Sequence, residues 1–207
     1  MFKLIFVFFI FIIFSCQDAT EKVFSNYKKN QNKIHNVTKY FFKICPSDLR
    51  LRIRFNSKTD IYCLFNQRLY TDSTNWVKSD IFDKYGQFDH SSTSPNDKKL
   101  LKALKLIGWN HEKLDSLYFL LKEAECNSIG NENSLPPLES RFPTISVGFI
   151  YPKYDLYRLE YMIIDRELTN NQIDTLLNDC SIKRISDKVF VQYSGPSFGS
   201  NCFPDKR

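Results

Sequence analysis

The sequence predicts an α+β domain: a largely antiparallel sheet with a few helices packed on one face. Three observations carry that expectation. The run DLRLRIRFNSKTDIYCLF, from Asp48, alternates apolar and charged residues and then turns back on itself, as a hairpin does. Between Asp97 and Ala124, leucines recur at helical spacing in two segments. After a capping-box pattern at Thr169, two more short apolar runs close the chain as a second hairpin. Strands precede, surround and follow the helices with mostly short connections, which argues for α+β rather than repeated βαβ units.

Taken in order, residues 1–15 read MFKLIFVFFIFIIFS, with one cation, Lys3, and an unbroken apolar run from Leu4 to Phe14. As a helix that run is about 16 Å long, well short of the roughly 30 Å hydrocarbon core. It is apolar on every side and holds five phenylalanines, which suits no buried core helix. A charged start, a short apolar stretch and a small final residue describe a cleaved signal peptide.

The residues at the end of the apolar run separate one export route from another. Ile13-Phe14-Ser15-Cys16 resembles the lipobox of bacterial lipoprotein precursors, with an aliphatic residue, a small residue and then the cysteine. Phe14 departs from the smaller residue usual at its place. The resemblance implies that the Cys16 thiol receives a diacylglycerol, that cleavage makes Cys16 the first residue, and that its amine is acylated, typically by palmitate. Each buried methylene contributes about 0.8 kcal/mol, and two or more chains hold a protein stably on a bilayer. The competing account is a plain secreted protein in which Cys16 is incidental or disulfide-bonded. The likeness covers only the first sixteen residues.

Residues 16–36 then read as the lipidated cysteine and a flexible tether. The stretch QDATEKVFSNYKKNQNKIHN is polar, shows no apolar period, and would reach about 25 Å as a random coil. Its acidic opening, Asp18 and Glu21, resembles the stretch that many Bacteroidota lipoproteins carry when sorted to the cell surface. Residues 37–207 are expected to form a single α+β domain, long enough for a real core.

Net charge is +6. Loss of Lys3 with the signal leaves +5, and the tether's four lysines against two acids account for +2, leaving the folded part near +3. That is far from a nucleic-acid footprint, and a mild attraction to anionic headgroups is the more natural consequence. Beyond Cys16 the cysteines are Cys45, Cys63, Cys126, Cys180 and Cys202. No CxxC occurs and no Cys/His spacing fits zinc, so no metal or other cofactor is implied. Exported chains see oxidising conditions. If one bridge forms, Cys180–Cys202 is the choice, because Cys202 sits in an otherwise untied C-terminal loop. The alternative is that several are buried small hydrophobes.

Within the domain, Leu49, Leu51, Ile53 and Phe55 alternate with Arg50, Arg52 and Arg54, a strand with one face buried. The arginines lie about 6.8 Å apart on the other face and could meet an anionic ligand, or simply face water. Residues 71–96 read as a long polar loop. From Asp97 a helix runs to a glycine stop at Gly108, and Asn110 caps a second one. Their six lysines against five acids over residues 97–125 disfavour a DNA-reading helix pair. Cys126 to Ile129 suggests a short strand, Thr144 to Tyr151 and Tyr154 to Asp165 two more. A helix from Thr169 through Leu177 and a hairpin, Ser181–Ile185 with Lys188–Tyr193, follow. A helix running into a cysteine, a late hairpin and a Gly-rich Cys-Phe-Pro ending resemble a group of small Bacteroidota lipoproteins. No activity comes with that likeness.

Three motifs carry less than they promise. His111-Glu112-Lys113-Leu114-Asp115 starts like a zinc-protease motif, but an aspartate holds the second ligand place. Gly195 to Gly199 lacks the Lys-Ser/Thr pair and following helix of a phosphate loop. Asp89-His90-Ser91-Ser92 gathers triad residue types without triad geometry. Tyr157 and Tyr161 share strand parity and could stack on a glycan, though such rings more often finish a core. The reading is therefore a membrane-anchored, non-enzymatic binding domain of the bacterial cell envelope, at the outer membrane or cell surface. Its expected partner is an envelope protein or a glycan, not nucleic acid. A carbohydrate-binding accessory domain is the alternative, and a hydrolase a distant third.

Overall fold

The computed structural model describes residues 2–46, 49–67, 87–131, 144–149, 158–164, 166–194, 202–203 and 206. It is an α+β fold. A long helix, α1 (Phe2–Ile44), precedes β1 (Leu49–Ser57), β2 (Asp60–Gln67) and β3 (Gln87–Thr93). Helices α2 (Lys98–Leu106) and α3 (His111–Glu123) lead to β4 (Cys126–Gly130), β5 (Thr144–Phe149) and β6 (Arg158–Ile164). The chain ends with α4 (Asn170–Asn178), β7 (Ile182–Ser186) and β8 (Val189–Ser194). The strands form one sheet in the order β3-β2-β1-β4-β5-β6-β8-β7, antiparallel at every pairing.

The local signals act as their chemistry dictates. Asp97 Oδ1 accepts from the Lys99 and Leu100 amides, and Asn110 Oδ1 from the Lys113 amide, so each helix start finds a partner for its orphan donors. Gly108 takes φ +71 between the two helices, a conformation that needs no Cβ. Thr169 and Gln172 form a reciprocal capping box at α4. In β1 the leucine, isoleucine and phenylalanine positions are buried and the arginines half-buried, the alternation expected of a strand packed on one face.

The segment read as a flexible tether is instead structured. It belongs to α1, and Val23, Tyr27, Ile34, Val37 and Phe41 are all 4 % exposed or less, set into the main core. Their spacing, i, i+4, i+11, i+14 and i+18, is helical. Asn26, Asn30 and Thr38 fall in the same stripe, and those polar letters conceal it. Thr38 satisfies itself by donating to the Ile34 carbonyl, 2.8 Å away. Asn30 breaks the helical dihedrals (φ −116, ψ 15), so α1 is kinked there. At its far end the Trp109 indole N–H donates to the Ile44 carbonyl at 2.8 Å, and the Trp109 ring meets Phe41 edge-on.

The main core lies between one sheet face (Leu51, Ile53, Ile129, Val147, Tyr161, Val191) and helices α1, α2 and α3. Helix α4 packs on the other face, where Leu176 joins Met162, Ile164, Ile182 and Phe190 in a smaller cluster. Residues 87–93, read as loop, form β3 and pair with β2. Their sequence QFDHSST has weak strand composition, and the neighbouring β2 edge supplies the partner instead. The C-terminal residues are pinned to α4 and β7. A disulfide joins Cys180 to Cys202, the Phe203 amide donates to the Cys180 carbonyl, and Lys206 Nζ donates to the carbonyls of Leu177 and Ile182.

Candidate functional site

The arginine stripe of β1 does not present three equivalent cations. Arg52 Nη1 lies 3.0 Å from Glu160 Oε1, and its Nη2 lies 3.4 Å from Oε2, a two-pronged contact. The Arg52 side chain is 12 % exposed and that of Glu160 only 2 %. These residues belong to strands three spacings apart, about 14 Å in the backbone, so the pair must cross β4 and β5. The crossing is open because Arg52 pairs in register with Gly130, and Glu160 with Gly148. Neither glycine has room for a side chain. A Cβ at Gly148 would fall on the Ser128 hydroxyl, and one at Gly130 would come within 2.7 Å of the Leu51 carbonyl.

Arg52 thus has its charge met within the protein, which sets it apart from its neighbours in the stripe. Arg54 lays its guanidinium over the Tyr62 ring, 5.6 Å from the centroid. Arg50 is half-buried. An anionic partner on this face would meet Arg50 and Arg54, flanking a centre whose charge is already neutralised. Beside them Asn131 prolongs β4 with its side chain. Its Oδ1 accepts from the Leu51 amide at 2.8 Å, and its Nδ2 donates to the Leu49 carbonyl at 2.9 Å.

Tyr161 is likewise unavailable to a glycan. It is fully buried, on the helix-covered face, and its ring tilts against Tyr27. The hydroxyl donates to the Val23 carbonyl at 2.8 Å, with Asn26 Oδ1 at 3.1 Å. Asn26 Nδ2 continues the chain of contacts to Glu125 Oε2 at 3.4 Å, and Glu125 pairs with Lys29 at the surface. Burial pushes the Tyr161 hydroxyl well above the ordinary tyrosine range, and the Lys29 ammonium holds the Glu125 carboxyl below the ordinary carboxylate range. The cluster fastens α1 to the sheet. Tyr161→Phe should therefore lower stability by about 1–2 kcal/mol in urea unfolding, by removing the buried hydroxyl's bonds to the Val23 carbonyl and Asn26; an unchanged midpoint would refute the role.

The remaining candidates scatter. Tyr157 and the Gly195–Gly199 turn lie outside the described residues. Cys16 falls within the helical backbone of α1, and His90 within β3, opposite Cys63. His111, Glu112 and Asp115 are exposed at the start of α3, with no third ligand assembled around them. Among the described residues no group of three or more His, Cys, Asp or Glu could hold a metal ion. Cys63 and Cys126 are buried free thiols whose burial raises them far above the range where thiolates form. Sequence reasoning missed Glu160, Gly130, Gly148 and Asn131; the alternation of Arg158 and Glu160 with apolar residues was the available signal for the first.

Comparison of the chain with protein-family models, curated proteins and solved structures finds no match. The functional reading therefore rests on the residues themselves.

Proposed function

We propose that the chain is an exported lipoprotein, held at the bacterial cell envelope by acyl chains on Cys16, whose folded part acts by binding rather than by catalysis. The observation that carries this reading is Ile13-Phe14-Ser15-Cys16 at the end of an eleven-residue apolar run, Leu4 to Phe14. Two structural facts support it. The Cys180–Cys202 bridge suits an oxidising compartment. Among the described side chains the first buried one is Val23, so cleavage before Cys16 spares the whole described core. No helix among the described residues is long and apolar enough to cross a membrane, and the acyl chains would supply the attachment.

The spacing changes how the domain is displayed. Only residues 17–22 separate Cys16 from the first core residue, a reach of roughly 20 Å when fully extended and about 9 Å as helix. The domain sits against the membrane surface instead of swinging on a stalk. Its outward partner is an envelope component of acidic character, met by the half-buried Arg50 and Arg54 on the sheet face opposite α1.

Growth of cells on labelled palmitate tests the anchor. Label should appear on the full chain and vanish in Cys16→Ser, with intact mass showing loss of residues 1–15. An unlabelled wild-type product, or a Cys16→Ser chain processed and membrane-bound as before, would overturn the proposal.

A further inference from the structure

Residues 17–44 carry most of the chain's net positive charge. From residue 17 to residue 44 there are six lysines and two acids; from residue 45 to the end there are 22 basic and 21 acidic residues. The cationic excess is +4 on the helix and +1 on everything after it. Burial sorts the helix sharply. Val23, Asn26, Tyr27, Asn30, Ile34, Val37, Thr38 and Phe41 face the core, while Lys22, Lys28, Lys29, Lys33, Lys39 and Lys43 are all exposed. Between them on the outer side stand only small or neutral polar residues, Ser25, Gln31, Asn32 and Asn36, together with Glu21. Lys29 contacts Glu125 yet keeps two-thirds of its side chain in water.

One face of the helix is locked into the protein core, Phe24, Tyr40 and Phe42 at its margins pack against that core, and the remaining face is lined by lysines. Its outer face matches a flat, extended, anionic surface. From Thr20 to Ile44 the two segments on either side of the Asn30 kink add up to about 37 Å of helix, long enough to span several lipid headgroups. Cys16 stands four residues before that stretch. Lysines beside an anchor add to membrane attraction one by one and act within a Debye length, so their effect requires the face to lie close to the bilayer.

We propose that the lysine face of α1 is a membrane-docking surface for anionic lipid headgroups, which lays the helix along the bilayer and turns the opposite side of the domain outward. The proposal extends the lipid-anchor reading by giving the anchored domain a fixed orientation. In it, α1 rests on the headgroups, the sheet stands behind α1, and the Arg50 and Arg54 side of the sheet faces away from the membrane.

Lysine acylation footprinting of the full chain, purified from the envelope and added to vesicles, tests it. One set of vesicles is phosphatidylcholine alone, the other contains phosphatidylglycerol as well. In the second set, Lys28, Lys33, Lys39 and Lys43 should react about fivefold more slowly than in the first, while Lys98 and Lys183 keep their rates. Roughly 1 M salt, with a Debye length near 3 Å, should erase the difference. So should the surface variant K28E/K33E/K39E, which alters no core residue, read at the remaining Lys43. Equal labelling in both vesicle sets, or stronger protection of Lys98 and Lys183 than of the α1 lysines, would overturn the docking surface. Failure of the anchor reads out separately, as loss of retention on phosphatidylcholine vesicles. Salt-sensitive protection on the anionic set would still support the lysine face in that case, and no protection there would reject it.

Discussion

A chain lacking residues 17–44 should fail to fold cooperatively. Five large side chains of α1, Val23, Tyr27, Ile34, Val37 and Phe41, are almost wholly removed from water. Burial of each such side chain contributes about 1.5–3 kcal/mol, so together they contribute on the order of 10 kcal/mol. Total stabilities of domains are about 5–15 kcal/mol. Losing the helix would also uncover Tyr161 and Trp109, whose rings meet Tyr27 and Phe41, and would strand the Tyr161 hydroxyl and the Trp109 indole N–H. The expected result is a loss of near-ultraviolet dichroism and of a sigmoidal urea transition. A truncated chain that melts like the intact one would restore the view of this segment as a passive tether. The same experiment separates two pictures of display, since a helix required for folding cannot also be a stalk.

Glu160→Ala should lower the free energy of unfolding by about 3–5 kcal/mol, because it leaves the Arg52 guanidinium buried without its counter-charge. Measured in urea, the midpoint should fall while the slope stays constant, since the extent of the fold is unaltered. The companion Arg52→Met/Glu160→Leu variant should recover most of the loss, as apolar replacements of buried ion pairs usually do. If Glu160→Ala melts within about 1 kcal/mol of the parent, water or another group is satisfying Arg52 and the pair does not hold the sheet. This result bears on function directly. Reversing the charge at Arg52 would set two carboxylates together in a nearly closed site, so lost partner binding in that variant would report unfolding. Arg50 and Arg54 are the cleaner probes of the stripe.

The neighbouring glycines belong to the same construction. Gly130 and Gly148 stand opposite the two partners of the pair, and each lies in a strand where glycine weakens the local structure. Their presence answers to close approach: Ser128 Oγ and the Leu51 carbonyl occupy the places where side chains would begin. Substitution by any larger residue should therefore disturb both the sheet and the Arg52–Glu160 contact. The pair and its glycine floor form one structural unit on the sheet face away from α1, α2 and α3, and Asn131 fastens the adjoining end of β4 to β1.

The local layer of this fold was legible in the order of the residues. Asp97, Asn110 and Thr169 offered the cap oxygens, Gly108 the left-handed turn, and the alternation from Leu49 to Phe55 the half-buried strand; each works through neighbours a few residues away. Long-range packing settled the rest. The α1 stripe carries asparagines and a threonine that look like solvent positions until Tyr161 and Ala124 arrive, more than ninety residues later, to receive one of them. Whether Arg52 and Tyr161 meet ligand or protein depended on partners 108 and 138 positions away, Glu160 and the Val23 carbonyl. Periodicity reports which side of an element a residue takes; it holds no information about what the fold places against that side.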